Sequence, residues 1–311
     1  MQSAGPFQGK TLRIGTRGSP LALVQAHTVR DRLAAALGRP PDAVEIRVIR
    51  TSGDRIQDRP LSDVGGKGLF TKEIEEALIA GEIDLAVHSA KDMPTLLPDG
   101  LMLAACLERE DPRDAFISNK AKSVAELPEG AVVGSASMRR QAILKTLRPD
   151  LRMVSLRGNV ETRLRKLDDG EVDATILAVA GLKRLGLAAR ATAAMPAEEF
   201  LPAVAQGAIG LETRADDAMT RALLATINHD DTFTAVACER AFLKELDGSC
   251  KTPIAGHAVL AGDALKFRGL IAKPDGSASH DLELSGVRAD AAKIGADAGR
   301  ALKGRAGPGF F

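Results

Sequence analysis

Short apolar segments alternate with longer segments of helical periodicity over about the first two hundred residues of the chain. In a sequence, a buried strand is typically a short apolar run, whereas a helix has apolar residues every three to four positions. The strand and helix segments pair as Thr11–Gly15 with Leu21–Leu37, Val44–Ile49 with Lys72–Ala80, Ala131–Gly134 with Ser137–Leu147, Met153–Ser155 with Val160–Leu167, and Ala174–Leu177 with Ala178–Arg184. This alternation predicts α/β domains with parallel sheets.

The pattern changes near Asp230. A long helix is predicted over Thr232–Leu246, a hairpin turn at Lys273–Gly276, and a last helix near Ala291–Leu302. These elements predict a small α+β unit, followed by a frayed tail over Gly304–Phe311.

Local signals mark two further features of the first domain. Ser19 and Pro20 have the residue types of an N-cap and a first helical position, so a helix is predicted to begin there. A polar, glycine-bearing loop is predicted from Arg50 to Gly68. Loops of this length in a compact domain are usually functional lids or disordered segments.

Composition limits the classes of function. The chain has 311 residues, which exceeds the size at which single cores tend to divide, so two or three domains are expected. Lysine and arginine total 42 against 41 aspartate and glutamate, and Trp and Tyr are absent. The net charge near zero gives no global case for binding nucleic acid, and nine Phe supply little aromatic stacking, which argues against that class of partner.

The sequence also argues against membranes and metals. No segment approaches the ~18 apolar residues of a spanning helix, and the first residues do not resemble a signal peptide, which predicts a cytoplasmic protein. Cys106, Cys238 and Cys250 are far apart, and the five histidines lack ligand spacing. No disulfide framework and no metal site are predicted.

The first candidate for a ligand-binding or catalytic site is the segment from Leu85 to Pro94. A buried strand is predicted there, and Lys91 and Asp92 follow directly after its end. In open α/β sheets ligands bind at the carboxyl ends of strands. The alternative is a solvated turn with a surface ion pair.

Two later strand exits carry arginines. Ser135, Ser137, Arg139 and Arg140 lie where a helix begins, and Arg157 and Arg163 repeat the arrangement one unit later. Free backbone N–H groups and guanidinium groups at a helix N-terminus favour an anion, and arginine suits carboxylates in particular. A ligand with several negative groups is predicted; the alternative is a serine N-cap with surface arginines.

Familiar motifs of other enzymes are missing. Gly65–Gly68 lacks the spacing of a phosphate-binding loop, and no serine-hydrolase elbow is present. Cys250 lies in a glycine-bearing turn, where backbone N–H groups and Lys251 would favour the thiolate, so it is a candidate for reactivity. The alternative is an inert turn cysteine, which is the commoner case for a lone cysteine. Cys238 reads as a core residue.

Taken together, the motifs resemble those of the porphobilinogen deaminase family, from Leu12 to about Asp275. The resemblance is carried by Thr16–Leu23, Gly65–Phe70, Val87–Pro94, Arg109–Ala115, Gly134–Gln141, Ser155–Arg163, Ala178–Gly186, Pro202–Gly210 and Gly248–Cys250.

The resemblance implies two periplasmic-binding-protein-like α/β domains and a small α+β C-terminal domain. Their expected ranges are 1–107 with 202–226, 108–201, and 227–311. It also implies a monomeric transferase of tetrapyrrole (haem) biosynthesis. Such an enzyme condenses four porphobilinogen molecules head-to-tail on a covalent dipyrromethane primer, releases ammonia, and hydrolyses the product to hydroxymethylbilane.

The resemblance further assigns roles to individual residues. Asp92, with Lys91, is expected to be catalytic and to bond the pyrrole N–H groups, and Cys250 to carry the dipyrromethane as a thioether. The other expected cofactor-binding residues are Ser135, Ser137, Arg139, Arg140, Arg157, Arg163 and Arg184. The expected substrate-binding residues are Arg17, Ser19, Gln25, Lys67, Arg157 and Arg163. The Arg50–Gly68 loop is expected to cover the site, although Asp63 replaces a lysine that some relatives carry.

Two other classes of function compete. A non-enzymatic carboxylate receptor with the same architecture would explain the arginines, but not the turn cysteine in an appended domain. A phosphoryl-transfer enzyme would need a phosphate-binding loop or paired metal carboxylates, and the sequence has neither.

Overall fold

A computed structural model of the chain describes residues 11–55, 68–246, 252–307 and 309–310. In these ranges the strands are β1 Leu12–Thr16, β2 Val44–Val48, β3 Leu85–Ser89, β4 Leu101–Cys106, β5 Asp114–Ser118, β6 Val132–Gly134, β7 Arg152–Val154, β8 Ala174–Ala178, β9 Ala193–Ala194, β10 Ile209–Arg214, β11 Ile254–Ala261, β12 Ala264–Ala272 and β13 Ser279–Val287. The α-helices are α1 Pro20–Ala36, α2 Ser52–Arg55, α3 Lys72–Ile79, α4 Met138–Leu147, α5 Val160–Asp168, α6 Val179–Arg184, α7 Ala218–Ala225, α8 Asp230–Glu245 and α9 Ala291–Ala306.

The first compact unit contains residues 11–55, 68–109 and 208–233. Its sheet has the order β2-β1-β3-β10-β4, with β1 parallel to β2 and β3, and β10 antiparallel to β3 and β4. Leu12, Val29, Leu85 and Leu211 belong to its core, so α1 buries one face of this sheet. As predicted, Ser19 caps α1 and accepts a hydrogen bond from the Ala22 N–H.

The second unit contains residues 110–207, 234–246 and 252–310 of the described chain. Its larger sheet has the order β7-β6-β8-β5-β9, with β6 parallel to β7 and β8, and β5 antiparallel to β8. Ser137 caps α4 and Asn159 caps α5, each by accepting a backbone N–H. Helix α4 follows β6 and helix α5 follows β7, so the N-terminus of each helix lies near the carboxyl end of a strand.

The same unit contains a separate antiparallel sheet of β11, β12 and β13. The predicted turn at Lys273–Gly276 joins β12 to β13, and Gly276 has a φ of 75°. Helix α9 approaches α8 closely at Gly295, where an added Cβ would lie 1.9 Å from the Cys238 carbonyl oxygen. A side chain at position 295 would therefore force the two helices apart.

The α/β class and the additional small sheet confirm the predicted fold. The prediction of parallel sheets was wrong in part, because β10 and β5 run antiparallel within their sheets. The chain returns to the first unit at residue 208, and residues after 234 belong to the second unit, so the division into three domains stays a prediction.

Two smaller predictions were also wrong in part. The start of the predicted Arg50–Gly68 loop is helical, because Ser52–Arg55 forms α2. The predicted tail is partly ordered: α9 continues to Ala306, and the buried Phe310 ring lies 5.2 Å from that of His280. Lys67, Cys250 and most of that loop lie outside the described residues.

Candidate active site

The first unit brings several predicted site residues together at one edge of its sheet. Strands β1 and β3 are parallel neighbours, so their carboxyl ends meet, and Arg17 and Asp92 follow those ends. Arg17, Ser19, Gln25 and Asp92 line one pocket, which is completed by Leu21, Ala22, Phe70, Thr71, Val87, His88 and Ser89. The structure brings these four side chains together, and their roles in binding and catalysis stay predictions. We call this the Asp92 pocket.

Arg17 is held in one orientation by two contacts. Its Nη2 donates to Asp54 Oδ1 at 2.5 Å and its Nε to the same carboxylate at 3.2 Å, while the Phe70 ring lies 4.2 Å from the guanidinium carbon. Asp54 also accepts from Thr51 Oγ1 at 2.8 Å. Asp54 engages Nε and Nη2 of the Arg17 guanidinium, so the Nη1 side remains suited to a ligand carboxylate.

Gln25 and Ser19 have different positions in the pocket. Gln25 is buried, and its Nε2 donates to Ser89 Oγ at 2.9 Å, which ties α1 to the end of β3. The Ser19 hydroxyl is engaged as the N-cap of α1. Lys91 lies beside Asp92 in the short 3₁₀ turn after β3, but does not line the pocket.

In the second unit, Arg139 and Arg140 share one buried carboxylate. Asp114 Oδ2 accepts from Arg139 Nη2 at 2.7 Å, and Asp114 Oδ1 accepts from Arg140 Nη2 at 2.6 Å. Gln206 Nε2 also donates to Asp114, at 3.0 Å. All four side chains are almost completely buried. Burial acts to raise the pKa of Asp114, but the charges of the two arginines outweigh it and lower the pKa to about 2.

Asp114 changes how the arginines at the start of α4 are understood. Sequence reasoning assigned the anion at this helix N-terminus to a ligand, yet the fold supplies one from β5. Two guanidinium groups nevertheless face one carboxylate, so one positive charge remains in excess, and Arg139 Nε has no partner among the described residues. Contact with a ligand carboxylate therefore stays a prediction.

The remaining predicted anion-binding residues also belong to the second unit. Ser135 Oγ accepts from the Ser137 N–H at 3.2 Å, which shapes the turn before α4. Arg163 Nε donates to the Gly158 carbonyl at 2.8 Å. Arg184 Nη2 donates to the Gly207 carbonyl at 2.7 Å, and burial lowers the pKa of Arg184. Arg157 is half-buried in the turn before α5.

Sequence reasoning missed several residues of these sites. Asp54, Asp114 and Glu212 are carboxylates that pair with site residues through tertiary contacts. A signal existed for Asp114, because an aspartate at the start of an apolar strand needs a buried cation as partner. In the described residues no group of three or more His, Cys, Asp or Glu could hold a metal ion. No described helix is long and apolar enough to span a membrane.

We expect Asp114→Asn to destabilise the protein by roughly 3–5 kcal/mol, because it leaves two buried guanidinium groups without a counter-charge. In the folded protein the pKa of Asp114 is lowered to about 2. Ionised Asp114 therefore stabilises the folded state fully at pH values above its pKa in the unfolded chain. This contribution, roughly 2 kcal/mol, is lost as pH falls from about 4 to 2. Urea unfolding at several pH values measures both effects.

Asp150→Asn is the matched control. Asp150 also has a pKa of about 2, mainly because of its hydrogen bond with Arg148, but the side chains of Arg148 and Asp150 are 22% and 27% exposed. Its replacement should change the unfolding midpoint far less. Equal midpoints for Asp114→Asn and wild type would show that the buried cluster does not stabilise the fold.

The two units define a class of protein. Each has a five-stranded sheet with arginine and hydroxyl side chains at the carboxyl ends of parallel strands. Ligands bind at such strand ends in open α/β sheets, and arginine forms paired hydrogen bonds with carboxylates, so the class is that of two-unit α/β proteins with candidate anion sites.

Comparison with known proteins gives the family. The profile described as "Porphobilinogen deaminase, dipyromethane cofactor binding domain" matches residues 12–222, and "Porphobilinogen deaminase, C-terminal domain" matches residues 233–304. A porphobilinogen deaminase of Nitrobacter hamburgensis is 61% identical over 311 residues, which cover 100% of this chain and 98% of the relative. That of Nitrobacter winogradskyi is 61% identical over 298 residues, 96% of this chain and 94% of the relative.

Solved structures with more distant likeness include two described as methionine-binding proteins. A methionine-binding lipoprotein of Bacillus subtilis has a TM-score of 0.43 and 14% identity, covering 71% of this chain and 91% of its own. The methionine binding protein MetQ has a TM-score of 0.44 and 17% identity, covering 74% and 94%.

This chain belongs to the porphobilinogen deaminase family. It is a transferase that condenses porphobilinogen head-to-tail on a covalent dipyrromethane cofactor, with release of ammonia, and forms hydroxymethylbilane for tetrapyrrole synthesis. The predicted family, activity and cofactor are confirmed.

Proposed function

We propose that porphobilinogen loses ammonia in the Asp92 pocket and that the Asp92 carboxylate stabilises the cation that forms as ammonia leaves. The observation that carries the proposal is that Asp92 and Arg17 line the same pocket. Among the described lining residues Asp92 is the only carboxylate. The pocket therefore offers one group suited to a cation and, at Arg17, one suited to a substrate carboxylate.

Electrostatics supports this division of roles. A positive charge that forms near arginines in a partly desolvated site is strongly repelled unless an anion lies close to it. A carboxylate already in place stabilises such a charge without reorganisation during the reaction. Lys91, in the same turn, would add a cation for the acidic side chains of the pyrroles.

We assign the binding of pyrrole acetate and propionate groups to the arginines. Arg17 would bind substrate through the Nη1 side of its guanidinium, together with Ser19, Gln25 and Lys67. Arg157 and Arg163 would serve both substrate and cofactor. The excess positive charge of Arg139 and Arg140 over Asp114 supports a role in holding further carboxylates.

The residues of this chain fit the dipyrromethane cofactor by their donor chemistry. Cys250 would attach it through a thioether, and Ser135, Ser137, Arg139, Arg140, Arg157, Arg163 and Arg184 would bind its carboxylates, with Lys91 and Asp92 beside its pyrroles. When bound, the cofactor supplies the pyrrole end to which substrate units are added. The protein's own part is to orient these groups and to supply the charges around them.

Arg17→Leu tests the binding role. We expect a rise in KM equivalent to roughly 2–5 kcal/mol, the range for removing one partner of a desolvated charge pair. Arg17→Lys should recover only part of this loss, because it lacks the planar fork. Steady-state kinetics with porphobilinogen, at cofactor content confirmed by intact mass, provides the measurement.

Arg30→Leu is the control, because Arg30 lies on α1 and pairs only with its neighbour Asp31 among the contacts described for it. Its kinetics should match wild type. Unchanged KM and turnover in Arg17→Leu would show that Arg17 faces solvent rather than substrate. Arg139 and Arg140 are poorer probes, since their loss would also disturb the Asp114 cluster.

The cytoplasmic location and monomeric state predicted from the sequence belong to this proposal. Light scattering of the purified protein tests the second of them.

A further inference from the structure

A buried group of three titratable side chains lies behind the Asp92 pocket. His88 Nε2 is 2.9 Å from Glu212 Oε2, and the two side chains are 3% and 0% exposed. Glu75, on α3, is also buried. These residues come from β3, β10 and α3, and their long-range packing gives them no common sequence motif.

The strand register explains the contact between His88 and Glu212. Gly210 is opposite His88 and Ala86 is opposite Glu212 in the antiparallel pair of β3 and β10. His88 and Glu212 are therefore diagonal neighbours on one face of the sheet, within reach of long side chains. A hydrogen bond between an imidazole and a carboxyl group needs a proton between them, so the pair holds at least one.

Glu75 is electrostatically coupled to this pair. Burial raises the pKa of Glu75; the charge of Glu212 raises it further, and that of His88 lowers it. From its own helix, Glu76 also raises the pKa of Glu75, while a hydrogen bond from Thr71 lowers it. Glu75 Oε1 and Glu212 Oε1 have no partner among the described residues. An unpaired buried carboxylate oxygen is costly, so Glu75 favours its protonated form.

This group has two connections to the pocket. His88 and Thr71 both line the pocket, and each hydrogen-bonds one of the buried glutamates. The buried group therefore borders the pocket directly at His88, whereas Thr71 lies between the pocket and Glu75. A cation in the pocket would be repelled by an imidazolium at His88 but not by a neutral imidazole.

We propose that His88, Glu212 and Glu75 form a proton-holding cluster for the Asp92 pocket, in which a proton moves between His88 and Glu212 as positive charge forms and disappears in the pocket. Before the cation forms, His88 is an imidazolium with protons on Nδ1 and Nε2, paired with the Glu212 carboxylate. When the cation forms, the Nε2–H bond of His88 breaks, an O–H bond forms on Glu212 Oε2, and His88 is left as a neutral imidazole that keeps its Nδ1–H. When the cation is consumed, the proton returns. The step moves positive charge away from the pocket and needs no other reactant; it rests on the proposed site of ammonia loss.

Glu212→Gln is the main test. The amide keeps the size of the side chain and accepts the His88 N–H, but it cannot take up a proton. Because an imidazolium at His88 can no longer pass its proton to residue 212, we expect kcat to fall roughly 10²-fold at low pH, where His88 carries that proton, with KM within about threefold. At higher pH, where His88 is neutral, kcat should approach that of wild type, so the pH profile changes shape. An equal fall at every pH, with the profile unchanged in shape, would indicate a structural role and overturn the proposal.

Two further variants separate the members of the cluster. Glu75→Gln resembles the protonated acid and leaves the His88–Glu212 pair in place, so it should lower kcat less than Glu212→Gln does. Glu76→Gln is the control, because Glu76 is exposed on the same helix and is 3.9 Å from Lys72. A loss in Glu75→Gln as large as that in Glu212→Gln would contradict the assignment of the moving proton to the His88–Glu212 pair.

Nitrogen-15 NMR of the histidine side chains tests the cluster without any activity measurement. The His88 signals, assigned by their absence in His88→Gln, should change with pH in more than one step in wild type, because coupled groups titrate together. In Glu212→Gln one step should disappear. A single step in wild type overturns the proposal, even if Glu212→Gln does not fold. A different pair of results would refute the proposed site of ammonia loss. In that case cofactor-loaded Asp92→Asn keeps full activity, while the His88 signals still change with pH in more than one step.

Discussion

Asp92→Asn is expected to fold like wild type and to lose roughly 10²–10³ in turnover, the scale for deleting one electrostatic stabiliser of a transition state. Asparagine keeps the shape and a hydrogen-bond acceptor but removes the negative charge from the Asp92 pocket. The cation formed by loss of ammonia would then face Arg17 without a nearby anion. Single-turnover release of ammonia from porphobilinogen measures the affected step directly.

Two controls make this result specific. Asp92→Glu should keep measurable activity, because the charge stays although its position shifts. Asp99→Asn should behave as wild type, because Asp99 is exposed beyond the turn that carries Asp92. Assembly of the cofactor needs the same chemistry, so only protein with cofactor content confirmed by mass is compared. Near-normal turnover in that Asp92→Asn protein would transfer the cation-stabilising role to another residue.

Cys250→Ser is expected to have the mass of the bare polypeptide and no activity. The other two cysteines are unsuitable for attachment. Cys106 and Cys238 are buried, and burial, with a further contribution from Glu239, raises the pKa of the Cys238 thiol to about 12. At neutral pH such a thiol has almost no thiolate, which is the nucleophilic form.

Cys106→Ser and Cys238→Ser are the matched controls and should keep the covalent adduct. Intact mass under denaturing conditions distinguishes the three variants, and turnover of porphobilinogen follows. An adduct that persists in Cys250→Ser would disprove the attachment at this residue.

Local signals in the sequence were sufficient for much of the fold. Ser19 is an N-cap as predicted, and Ser137 is the serine N-cap that was the alternative at the start of α4, because capping depends on a residue and the N–H group three positions later. The strand before Lys91 and Asp92 was predictable for a similar reason, since a short apolar run and the polar turn after it are contiguous. The antiparallel strands β5 and β10 were not, because the direction of a strand depends on its tertiary neighbours.

The site residues themselves are visible in the sequence, whereas most of their partners depend on the tertiary structure. The sequence by itself determined the residue types at the strand ends and, through its motifs, the family and the reaction. Only the tertiary structure decided that Asp54 orients Arg17, that Asp114 neutralises part of the charge of Arg139 and Arg140, and that Glu212 pairs with His88. The last pair is separated by 124 positions. Such pairs follow from which strands become neighbours and in which register, and neither is determined by the residues next to them in the chain.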